Sequence, residues 1–345
     1  MRWLSSALLV AGLVCVSCSS DDPPANPPFD VIPKFGGTVA GAIAFTPDGR
    51  IAAASLGEPK NRVRVTFTRE GARFMEVTAD GLEAQYIPDL AFVPSGSHFV
   101  SVHGTWMPVY LRVWELPSGR EVARGVLDQG LAQAGLAVSR DGRHLIAPAY
   151  GDRVDILSLP DLRPIATLKG GGARMTGADV SPDGRRVAAG DEDGTLLVWD
   201  VETRSEVARR SLTTSGETPR LGAVRYGEGG VLGVFQLDGD DHFLILDADS
   251  LSEKRRIRKD QGPFEFSPDG REVAIGGGDS LTLAMVFDTA TGRELQILGQ
   301  PTGGGAVRIL TIGLRGVWLQ YIDGGKTLAT KDSEGETRFY EREAD

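Results

Sequence analysis

Oxygen is the one plentiful ligand chemistry in this chain. Acidic residues gather at Asp191-Glu192-Asp193, Asp238-Gly239-Asp240-Asp241, Asp279 and Asp332-Ser333-Glu334, and grouped carboxylates are what a hard cation such as calcium takes. Asp238, Asp240 and Asp241 form the densest group and are the candidate calcium ligands. None of these stretches has the spacing of a calcium-binding EF-hand loop, and aspartate also serves to hold turns, so solvated turns are the reading the spacing favours. The four histidines, His98, His103, His144 and His242, form no zinc-type pattern with cysteine or glutamate. No Gly-x-Ser-x-Gly elbow occurs, and Gly170-Gly171-Gly172 lacks the flanking strand, helix and lysine of a phosphate loop. No catalytic residue and no cofactor follow from these residues.

The elements that must carry these loops are set by a repeat. An aromatic or apolar residue is followed four positions later by glycine in Ala44-Phe45-Thr46-Pro47-Asp48-Gly49-Arg50 and Glu265-Phe266-Ser267-Pro268-Asp269-Gly270-Arg271. The anchor glycines are Gly49, Gly96, Gly142, Gly184, Gly230, Gly270 and Gly325, about 40 to 55 residues apart, a period that indicates a solenoid or propeller. Each lies between two short runs that read as hairpin strands, and a two-residue hairpin loop needs the positive φ that glycine tolerates. A third apolar run and a fourth, more charged run follow, such as Leu196 to Val201 and Arg163 to Lys169. Four strands per unit predict one propeller blade, and seven units predict an all-β, seven-bladed β-propeller over residues 30–345.

Leu196-Leu197-Val198-Trp199-Asp200 resembles the strand that names the WD-repeat family, and Val113-Trp114-Glu115 and Val286-Phe287-Asp288 resemble weakened copies. In that family a turn Asp, a Ser or Thr of the second strand, a Gly-His histidine and the Trp form a hydrogen-bonded set. Asp193 and Trp199 match it as the turn and tryptophan pair. Ala189 stands at the serine position and no Gly-His pair exists, so the buried network is expected to be mostly absent. The resemblance implies a scaffold for protein partners. Two alternatives stay open: a propeller hydrolase or lactonase with rim carboxylates and a metal, and a component similar to the periplasmic TolB propeller of envelope complexes. TolB's six blades and extra N-terminal domain do not match here.

The last repeat stops after its third strand, and Asp30-Val31-Ile32-Pro33-Lys34-Phe35 precedes the first with no hairpin partner. This N-terminal strand is predicted to close the ring as the outer strand of blade seven, because an open ring would leave an unpaired edge. Ahead of it, Arg2 and the apolar Leu8 to Val14 have the charge and length of a signal peptide. Cys15-Val16-Ser17-Cys18 resembles a bacterial lipoprotein cleavage site, which implies a signal over 1–17, lipidation at Cys18 and a Pro-rich disordered tether over 18–29. The resemblance implies a bacterial cell-envelope protein with a lipid anchor, and Ser19 behind the cysteine implies the outer membrane.

The net charge of −10 argues against a nucleic-acid partner. The basic run Lys254 to Lys259 falls on a predicted outer strand, where such side chains blunt a sheet edge. Between the second and third strands of blade two, His103 to Tyr110 forms a longer loop whose Trp106, Met107 and Tyr110 are candidate anchors for a partner. The expectation is a monomeric ring, anchored to the lipid bilayer, that binds an envelope protein on one rim.

Overall fold

A single turn chemistry sets the start of most blades. In Thr46-Pro47-Asp48-Gly49, the Thr46 hydroxyl donates to Asp48 Oδ1 at 2.7 Å, the Arg50 N–H donates to the same oxygen at 3.1 Å, and the Gly49 N–H donates to the Thr46 carbonyl at 2.8 Å. The same set recurs around Ser139 and Asp141, Ser181 and Asp183, and Ser267 and Asp269. The Ser181 hydrogen bond, with backbone N–H help, holds the Asp183 carboxyl below its ordinary range. These aspartates are turn residues. All seven anchor glycines have positive φ, from +67° at Gly49 to +87° at Gly325, where side chains are disfavoured. A second turn follows the third strand: Thr203, Ser250 and Thr291 donate N–H and hydroxyl to Asp200, Asp247 and Asp288. The aspartate that ends the Trp199-Asp200 pair therefore caps a turn.

The computed structural model describes residues 42–341 except 57–59, 68–72, 83–85, 105–107, 129, 132–134, 150, 213–219, 238–240, 260–261, 277–283, 299–317 and 332–336. Within it, seven antiparallel sheets each run in chain order from an inner to an outer strand. Six have four strands, such as Met175–Val180, Arg186–Asp191, Thr195–Asp200 and Glu206–Ser211 in blade four. The seventh has Trp318–Ile322, Thr327–Lys331 and Thr337–Glu341 among the described residues. The segment expected to complete it, 30–35, lies outside the described residues, as do the signal, the tether and Cys18. No described helix is long and apolar enough to cross a membrane.

Side chains alternate across each strand, and each sheet is covered on both faces, so second and third strands read as continuous apolar runs. In blade four, Ala189, Leu197 and Trp199 pack against Ile146 and Ile156 of blade three, while Ala188, Leu196 and Val198 pack against Leu232 and Val234 of blade five. Seven such buried clusters make seven interfaces. The one between blades five and six is aromatic, with Phe243 4.6 Å from Phe264 and 5.1 Å from Phe235, ring centre to ring centre. Gly233 makes room for it: a Cβ there would sit 2.7 Å from Phe264 and 2.8 Å from Phe243. Blades seven and one meet through Ile322, Ala329 and Phe339 against Ile43, Phe45 and Ala52. There Gln320 adds a two-way bond, its Oε1 accepting from Phe45 N–H at 3.1 Å and its Nε2 donating to Phe45 O at 3.0 Å.

Because both neighbours depend on one interface, a cavity there should be felt globally. Phe243→Ala empties the centre of the aromatic cluster and is expected to lower unfolding free energy by about 3–5 kcal/mol, measured by urea denaturation. A loss below about 1 kcal/mol would show that the ring does not rely on this interface.

Candidate functional site

The two rims are built differently. An up-and-down sheet places the first and third connections of every blade at one end and the rest at the other. The first rim carries the repeated Asp-capped turns. The opposite rim carries the connections between second and third strands and from blade to blade, which vary in composition.

On that variable rim the structure brings together side chains from blades one and two. Tyr86 is exposed in the connection between the blades, and Lys60 Nζ lies 4.3 Å from its ring centre, a cation–π distance. The Gly104 N–H donates to the Tyr86 carbonyl at 2.8 Å, which ties this connection to the start of the blade-two loop. Trp106 and Met107 lie outside the described residues. Tyr110 is a strand residue and not a loop residue: it pairs with His103 across Val109–Glu115 and packs half-buried against the core between blades one and two. Tyr86, exposed on the same rim, is singled out by no periodicity because it stands between strands.

Below this rim, blade two holds a buried polar set. The Trp114 Nε1–H donates to Ser101 Oγ at 2.8 Å, and Ser101 Oγ lies 2.8 Å from His103 Nε2. Ser101 stands opposite Arg112 on the neighbouring strand, as Ala189 stands opposite Leu197 in blade four. Blade two thus holds part of such a set, with a histidine supplied by its own second strand. His103 is 0 % exposed, and burial together with the Arg112 charge pulls its pKa down to about 4. Arg112 is paired with Glu121 at 3.5 Å.

Blade four does not form the expected pair. Asp191, buried, accepts from the N–H groups of Asp193 at 3.0 Å and Thr195 at 2.7 Å. Asp193 itself is exposed and shares no hydrogen bond with the buried Trp199. The turn carboxylate sits two residues earlier than the repeat pattern indicates.

Inner strands line the axis of the ring, and there the structure gathers charges that no motif signals. Asp89 of blade two accepts from Leu136 N–H of blade three at 2.7 Å, and Asp179 of blade four accepts from Tyr226 N–H of blade five at 2.8 Å. Glu265 of blade six faces the same axis, and the Arg225 charge from blade five acts on all three carboxylates. Burial outweighs it: Asp89 is pushed up to about 6 and Glu265 to about 7, and Asp179 is raised. The cluster fastens neighbouring inner strands and stores ionisable groups near neutrality.

The calcium candidates are not assembled among the described residues. Asp238 and Asp240 lie outside them, and the Asp241 carbonyl accepts from Lys259 N–H at 3.2 Å. No group of three or more His, Cys, Asp or Glu among the described residues could hold a metal ion.

Comparison with known proteins agrees with this geometry. Residues 162–200 match the family model described as WD domain, G-beta repeat, which spans the outer strand of blade three and the first three strands of blade four. The chain is a seven-bladed β-propeller, and one of its segments is similar to a WD repeat. Among solved structures, one titled "Crystal Structure of Mitotic Checkpoint Complex" is similar to this propeller with a TM-score of 0.69 at 13% identity, covering 99% of each chain. That likeness is one of fold. No curated protein matches the sequence.

The propeller's buried ionisable groups give opposite pH signatures. A carboxyl raised in the folded state costs stability as pH climbs through the interval between its ordinary and its folded pKa. Glu265→Gln is therefore expected to raise the melting temperature by a few degrees at pH 8 and to change nothing near pH 4. His103 is held neutral, so its contribution is present above about 6.5 and lost as pH falls toward 4, on the order of 3 kcal/mol in all. In His103→Gln the acid-side decline should flatten, and thermal melts across pH 4–8 read both effects.

Proposed function

We propose that this WD-like propeller is a protein-interaction scaffold held at a bacterial cell envelope, and that it binds an envelope protein through its variable rim at blades one and two. The observation that carries the reading is the division of labour between the rims. Repeated Asp-capped turns occupy one end, and at the other an exposed Tyr86, stacked by Lys60, adjoins the loop that holds Trp106 and Met107. Large amphipathic rings at such positions are favoured binding anchors. WD-repeat propellers commonly bind protein partners, and the similar solved structure is, by its title, a complex.

In this proposal the signal over 1–17 is removed, Cys18 carries the lipid that holds the protein to the bilayer, and 18–29 is the tether. Residues 30–35 complete blade seven. The basic outer strand of blade five supports the view that charge here protects an edge: Lys254 pairs with Asp247 at 3.0 Å and Arg256 with Glu253 at 2.7 Å.

The test is crosslinking and affinity capture of the full chain from its native envelope beside Cys18→Ala, Tyr86→Ala and Trp106→Ala forms. A partner captured by the parent chain and lost with Tyr86→Ala or Trp106→Ala, while the melting temperature is kept, is the expected result. Cys18→Ala should release the protein into the soluble fraction. A partner that persists through both rim variants would overturn the rim assignment, and capture of nothing specific would overturn the scaffold reading.

A further inference from the structure

Outer strands of a propeller are exposed edges, and five of the six described ones carry at least two charged side chains or a proline, the usual protection against pairing with another chain. Blade six is the exception. Its outer strand Glu294–Leu298 has one charge and no proline, and among the described residues it is hydrogen-bonded on one side only, to Ala284–Asp288. Leu295 is 40% exposed and Ile297 38%. Ile297 stands opposite Met285, whose side chain packs into the core between blades five and six, so this apolar wall faces blade five.

The facing wall is basic. Arg255 stands opposite Ile245, and both Ile245 and the nearby Ile257 belong to the same core between the two blades. A side chain added at Gly292 would lie 3.5 Å from Arg255 Cδ, which places Arg255 over the outer turn of blade six. Its neighbours Lys254 and Arg256 are neutralised by Asp247 and Glu253, but Arg255 donates to the Lys254 carbonyl and forms no ion pair among the described residues. Arg293, exposed at the head of the blade-six strand, forms none either.

We propose that the outer groove between blades five and six is a second docking site, for an extended protein segment whose groove-facing side chains, at every second position, include both apolar and acidic residues. The open edge of Glu294–Leu298 supplies backbone hydrogen bonds to an added strand. Apolar side chains of that strand cover Leu295 and Ile297, and its carboxylates meet Arg255 and Arg293. A purely electrostatic partner, such as an anionic membrane surface, would leave the apolar pair and the strand edge unused. The inference rests on the scaffold reading and adds a site on the circumference, away from the rim of blades one and two.

The probe is a short synthetic peptide with Val or Ile and Glu or Asp together at its odd positions and Ser or Thr at its even ones, with a twin carrying Lys at the acidic positions. Fluorescence anisotropy with the full chain should show binding of the acidic peptide, weakened about tenfold or more in both Ile297→Asp and Arg255→Glu, and no binding of the Lys twin. Hydrogen exchange should show new protection within Glu294–Leu298. Both substitutions are at exposed positions, and an unchanged melting temperature confirms that each variant is folded; Leu295→Ser stands in for Ile297→Asp if it is not. The proposal is overturned if the acidic peptide does not bind, if both variants bind it as the parent does, or if the Arg255-dependent ligand proves to be phosphatidylglycerol vesicles and not the peptide. Rim-dependent capture from the envelope that survives such a failure would leave the scaffold reading standing, whereas loss of both would remove it.

Discussion

Burial on both faces of every blade is the constraint from which the rest follows. A second or third strand has no solvent side, so its successive residues serve two different neighbours: Leu196 and Val198 look to blade five, Leu197 and Trp199 to blade three. No blade can be altered for one partner alone. Ala52 and Ala188 are fully buried between sheets, and the large rings of Phe243 and Phe264 fill the interface that Gly233 opens. Apolar packing of this kind has no direction of its own, which leaves turns and polar bridges to set register.

Those polar groups are almost all committed to architecture. Asp48, Asp141, Asp183 and Asp269 hold inner turns; Asp200, Asp247 and Asp288 hold outer ones; Asp89 and Asp179 bridge to the backbone of the next blade. What remains for recognition is the variable rim and the outer circumference, where Tyr86, Leu295 and Ile297 are exposed.

The parts of the fold legible in the sequence were those whose physics is local. A positive φ demands glycine, a capped turn demands Asp beside Ser or Thr, and both signals fall within five residues, so the blades and their number could be read directly. The axial charges could not, because the groups that act on one another are distant in the chain: Asp89 reaches Leu136, and Arg225 acts across the ring on Asp89. Inner strands as short as Phe264–Phe266 also carry too little pattern to show which side chain points to the axis. The turn carboxylate of blade four was misplaced by two residues, since Asp191 and Asp193 are equivalent until burial distinguishes them. The Trp114, Ser101 and His103 set escaped notice because its histidine comes from within the second strand.

Three of the bridges along the inner wall are not chemically alike. Between blades two and three and between four and five the bridging group is a carboxylate, whose strength as an acceptor follows its charge and whose charge follows the proton activity of the surroundings. Between blades seven and one it is the amide of Gln320, which donates and accepts at once and has no ionisable proton. The seam where the first and last blades meet is thus held by a fastener indifferent to acidity, so an acid or alkaline compartment can retune the interior of the ring without loosening its clasp.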